Sequence, residues 1–109
     1  MSFDMNKMLR EAQRMQEELA KAQEEAAIEV VEASAGGGMV TVKASGAGEV
    51  ISITIDPRAI DPDDPELLAD MILAAVNEAL RSARGLMDTK VSGLIPPDIG
   101  GLGGLLPGA

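Results

Sequence analysis

The side chains best suited to chemistry in this 109-residue chain are cations. Lys7, Arg10 and Arg14 follow one another at steps of three and four, and Arg81, Arg84 and Lys90 stand towards the other end. On a helix such steps place side chains along one face. A row of guanidinium and ammonium groups neutralises phosphates and releases their counterions. The bland alternative is a solvated face laced with weak pairs, since Lys7–Glu11, Arg14–Glu18 and Glu17–Lys21 all have four-residue spacing. Lys21 lies beside an acidic run and is the poorest candidate.

Other chemistry finds little support. With no cysteine and no histidine, disulfides, thiolate nucleophiles, Cys/His zinc sites and a histidine base are excluded. Asp61, Asp63 and Asp64 lack the glycine and terminal glutamate of a calcium loop. They read instead as caps for the following helix, with Asp63 and Glu66 at capping-box spacing. Gly46-Ala47-Gly48 lacks the third glycine of a dinucleotide site, and no Walker lysine follows Gly36-Gly37-Gly38. No catalytic residue, metal, cofactor or small-molecule substrate is expected.

Net charge is −9 with a pI near 4.3, but the charge is uneven. Residues 1–23 balance Asp4, Glu11, Glu17 and Glu18 against Lys7, Arg10, Arg14 and Lys21. Residues 24–78 hold twelve carboxylates against Lys43 and Arg58, so the acidity lies mid-chain. Aromatic residues make up 1%, Phe3 alone, which leaves a lone monomer thinly packed and hints at a homo-oligomer. Neither an apolar run of membrane-span length nor a signal-peptide core is seen, so a cytoplasmic protein is expected.

The elements that must position the cations centre on residues 36–57. Gly36-Gly37-Gly38 permits a tight reversal, Val40, Val42 and Ala44 alternate with polar residues, and Gly46 and Gly48 permit a second reversal. Ile51, Ile53 and Ile55 are then read on one face, with Val50, Ser52 and Thr54 on the other. With Ile28–Ser34 this makes a three-stranded antiparallel meander. The adjacent Val30 and Val31 leave the face of that first strand open.

Residues 3 to about 27 predict one long helix, with Met5, Met8, Ala12, Met15, Leu19, Ala22 and Ala26 in a heptad seam. Met5, Met8 and Met15 are read as packed core. Pro65 to about Lys90 predicts a second helix with a broad apolar stripe, softened near its end by Gly85. The fold class is α+β, ordered α-β-β-β-α. Residues 1–91 form a single domain and residues 92–109 a Gly/Pro/Leu-rich tail. Two antiparallel helices longer than the sheet are expected to project as an arm with all six cations at its far end.

GGGMV at 36–40, GAGEVISITIDP at 46–57 and LLADMILAAVNEAL at 67–80 resemble the YbaB/EbfC family of bacterial nucleoid-associated proteins. The Met/Gln-rich first helix and the Gly-Leu-Pro tail are similar too. The resemblance implies a homodimer joined through its sheet region, of tweezer-like shape. It also implies binding of double-stranded DNA with little sequence preference, and a role in nucleoid organisation or gene regulation. Lys7, Arg10, Arg14, Arg81, Arg84 and Lys90 are the candidate DNA contacts. The competing reading is a dimeric protein-interaction scaffold that binds a partner helix or groove without DNA, of which an acidic DNA mimic is a weaker form.

Overall fold

A computed structural model describes residues 4–94. Phe3 and most of the tail lie outside them. Helix α1 (Met5–Ile28) leads into strands β1 (Val30–Ala35), β2 (Val40–Ser45) and β3 (Val50–Ile55). A 3₁₀ turn at Pro57–Ala59 then precedes helix α2 (Pro65–Ser92). The strands form one antiparallel sheet in chain order, so the expected α-β-β-β-α arrangement is the one found.

Both reversals depend on glycine. Gly36, Gly37 and Gly38 have φ of 64°, 67° and 91°, three successive left-handed residues that only glycine adopts without strain. The turn closes with the Met39 amide donating to the Gly36 carbonyl at 3.3 Å. At the opposite end of the sheet Gly46 is required by contact, because a Cβ there would overlap the Ala26 carbonyl.

Register settles what alternation left open. Val31, Ala33 and Ala35 stand opposite Ala44, Val42 and Val40, so Val31 and not Val30 turns to the core. On the other side Val40 and Val42 face Ile55 and Ile53, but a bulge after Lys43 sets Ala44 against Val50. The assignment of Val50 to the face opposite Ile53 and Ile55 is therefore corrected: Ile51 is the extra residue, and Val50 rejoins the core face.

Helix α2 lies across β1 and β2 and barely reaches β3. Its Ala75, Ala79 and Ala83, at four-residue steps, are fully buried against Val40, Val42 and Ala44. Alanine lets the helix backbone lie close to the sheet, and partly buried Leu68, Met71, Ile72, Val76 and Leu80 widen the seam. The helix is capped by Asp64, whose Oδ1 accepts from the Leu67 amide at 3.2 Å. The Asp63–Glu66 capping box is thus corrected: Asp61 accepts from the Asp63 amide in a local turn, and the cap falls one residue later.

Helix α1 is capped by Asp4, which accepts from the Lys7 amide at 3.1 Å. It meets the rest of the molecule at its foot, where Ala26 is buried and Leu19 and Ala22 are half-buried. Met5, Met8, Leu9 and Met15 are 40–62% exposed. The reading of Met5, Met8 and Met15 as packed core is corrected, and the cause is length. At about 1.5 Å per residue, α2 spends its run from Leu68 to Ala83 crossing the sheet. Only its last turns accompany α1. The projecting arm is accordingly drawn mainly from the first half of α1.

Candidate nucleic-acid interface

On the arm, Lys7, Arg10 and Arg14 line one shallow depression with Glu11 between them. All are exposed, and the row follows directly from three- and four-residue steps on an unbroken helix. Among the described residues Lys7 and Arg10 have no carboxylate within ion-pair distance. Arg14 makes a loose contact, its Nε 3.9 Å from Glu18 Oε1, with both side chains more than half exposed. Such a pair holds its cation weakly and yields it readily to a phosphate.

The cations of α2 stand elsewhere. Arg81 falls between the buried Ala79 and Ala83 and points away from the sheet, where both Nε and Nη2 donate to Glu78 Oε2. Arg84 lies beside the β2–β3 hairpin, in a depression lined by Gly46, Gly48, Leu80, Met87 and Asp88. The Lys90 ammonium is 3.5 Å from Glu29 Oε1, which sets it at the foot of α1. The structure therefore brings Lys7, Arg10 and Arg14 together but does not gather all six at one tip. The separation has the same origin as the exposed methionines, since residues 65–83 are consumed in covering the sheet.

Two features escaped the sequence reading. The first is an apolar shelf beside β3. Leu73, Val76, Leu80, Arg84 and Met87 run along one flank of α2 at steps of three and four, and the last three look onto the hairpin. Leu73 is 60% exposed and Ile53 45%, with Val50 and Ile51 also uncovered. The available signal was a helix stripe broader than two short strands can cover. The second is the pair formed by Asp56 and Arg58, in which the guanidinium Nη2 lies 2.8 Å from Asp56 Oδ2. The side-chain and backbone hydrogen bonds from Arg58 hold the Asp56 carboxyl below the usual range, and Asp56 in turn raises the Arg58 guanidinium.

Among the described residues no three potential ligands gather as a metal site, and no helix is long and apolar enough to cross a membrane. The fold matches a crystal structure of an uncharacterized protein from Helicobacter pylori with a TM-score of 0.72. That match covers 87% of this chain and 100% of the other, at 20% identity. A nucleoid-associated protein of Acetivibrio thermocellus is 49% identical over 102 residues, 94% of this chain and 87% of its own length. One from Saccharopolyspora erythraea is 47% identical, covering 96% and 93%. The model of the YbaB/EbfC DNA-binding family matches residues 1–97. These names describe nucleoid-associated DNA-binding proteins, not enzymes, and the extent of the match decides the membership: this chain belongs to the YbaB/EbfC DNA-binding family.

Proposed function

We propose that this protein is a homodimer that grips duplex DNA with little sequence preference and contributes to nucleoid organisation or gene regulation in the cytoplasm. The observation that carries the reading is the row of Lys7, Arg10 and Arg14 on the exposed face of the arm. Membership in a DNA-binding family supports DNA as the ligand of that row. Arg84, Lys90 and Arg81 are secondary contacts, each held near a carboxylate or the hairpin in the free protein. Phosphate contacts of this kind position a protein without reading bases. With Phe3 the sole aromatic residue, base stacking is disfavoured.

Dimerisation rests on the apolar shelf. Val50, Ile51, Ile53 and Leu73 are left open to water beside a small alanine-rich core. A second copy of the same shelf covers them with like chemistry, as a two-fold interface requires. Ile53→Asp then yields a monomer in light scattering, whereas wild type runs as a dimer.

The deciding experiment is fluorescence anisotropy of a labelled random duplex at low and physiological salt. The control carries Arg10, Arg14, Arg81 and Arg84 each changed to Glu, with its oligomeric state checked. Steep weakening with salt, and loss of binding in the control, support the clamp. The uncovered Met5, Met8 and Leu9 favour a second reading, a scaffold that seats a partner helix. That reading expects no duplex binding at low salt, and partner binding indifferent to the arginine reversals.

A further inference from the structure

The arm joins the sheet through two short connections. Between Ile28 and Val30 a single extended residue, Glu29, separates helix from strand. The second junction is Gly85. It follows Ala83, the last α2 residue buried on the sheet, and precedes Leu86 and Met87. Met87 in turn borders Ala20, Gln23, Glu24 and Ala27 of α1.

Neither conformation nor packing requires glycine at 85. Its φ is not positive, unlike those of Gly36, Gly37, Gly38 and Gly48, and an added Cβ there would meet nothing within 4 Å. What glycine does supply inside a helix is backbone freedom. The contrast with Gly46 is sharp, because there the bare backbone is filled by the Ala26 carbonyl of α1. Gly46 also donates its amide to the Glu29 carbonyl at 3.0 Å. Beyond Gly85 the last turns of α2 lie against α1 through Met87, while Lys90 pairs with Glu29 at the junction itself.

We propose that Glu29 and Gly85 form a paired hinge, on which α1 and the last turns of α2 swing as one lever, with the Gly46 backbone as fulcrum. The swing sets how far the Lys7–Arg10–Arg14 row stands from the body, and a duplex held by that row fixes the lever in one position. This last step rests on the DNA-binding reading; the hinge itself does not.

The chain has no cysteine, so spin labels on Gln13→Cys and Ser34→Cys report the arm against the sheet without background. Labelled protomers are diluted into unlabelled protein, and the distance distribution is measured by pulsed dipolar spectroscopy. A broad distribution is expected for the otherwise wild-type protein, narrowed about twofold by Gly85→Ala with its centre unchanged. Gly46→Ala is expected to move the centre instead, because the arm must shift off the new methyl. An equally narrow distribution with and without Gly85→Ala overturns the hinge, and an unmoved centre in Gly46→Ala overturns the fulcrum. Random duplex, added to the otherwise wild-type protein, is expected to narrow the distribution as Gly85→Ala does. Bound duplex that leaves it broad overturns the fixing of the lever. Absence of duplex binding in anisotropy removes the DNA reading alone, because the DNA-free comparison still decides the hinge.

Discussion

The sheet with its covering helix and the arm with its cation row follow opposite rules. In the body Val40, Val42, Ala44, Ala75, Ala79 and Ala83 are fully buried, and small residues bring backbone close to backbone. On the arm, helix α1 from Met5 to Glu18 is exposed throughout, and cations and methionines stand alike in water. The body is specified by shape, so a methyl group too many or too few is felt there. The arm is held by helix propensity and by its foot, so its faces are free to meet something else. A protein whose stability and contact surface are this well separated tolerates change in one without loss of the other.

The hardest way to break that separation is to charge the body. Val42→Asp buries a carboxylate against the alanine ridge, a cost of several kcal/mol in a fold whose whole stability is on the order of 5–15 kcal/mol. Loss of the helical circular dichroism signal at ambient temperature is expected. The arm allows the converse test. Reversing Lys7, Arg10 and Arg14 to Glu is expected to weaken duplex binding about a hundredfold at low salt and to flatten the salt dependence. Its unfolding free energy stays within the range of ordinary surface changes, about ±0.5 kcal/mol. A large loss of stability in that variant would mean that arm and body are one unit after all.

Caps give a finer gauge. Asp64→Ala removes the acceptor for the Leu67 amide and should cost about 1 kcal/mol in denaturant titrations. Asp63→Ala should cost less, because Asp63 does not cap α2. The smallest effect is expected from acid. The folded Asp56 carboxyl is held low by Arg58, so its contribution is present above the unfolded carboxylate range and fades as pH falls through the lowered value. The pair is exposed, and Asp56→Asn should flatten the acid limb of melting temperature against pH only slightly.

The body was more legible in the sequence than the arm. The glycines at 36–38, at 46 and at 48, and alternation in β2, announce the meander, because turn chemistry and period-two burial are local. Val30 against Val31, and Val50 against Ile51, are choices made by register across strands, which the sequence of one strand does not contain. Met5, Met8 and Met15 have the period of buried seam residues, yet periodicity only names the face of a helix. Whether anything covers that face depends on where α2 stops. The same limit applies to the cations: Lys7, Arg10 and Arg14 are neighbours by helical spacing alone, whereas the place of Arg81 and Lys90 depends on how much of α2 the sheet consumes.

The covering helix has one more consequence, which belongs to the time before the molecule is whole. The strands occupy residues 30–55, and α2, which hides the apolar face of β1 and β2, begins at residue 65. On a ribosome adding about 5–20 residues per second, the 28 residues of α2 take roughly 1–6 s to make. Until α2 has emerged and docked, the nascent sheet shows Val40 and Val42 to its surroundings beside the uncharged, proline-free run of β3. A strand of that composition at a sheet edge is a template for neighbouring chains. The risk of aggregation is therefore greater before α2 docks, when the face of β1 and β2 is open as well, and anything that delays docking lengthens it.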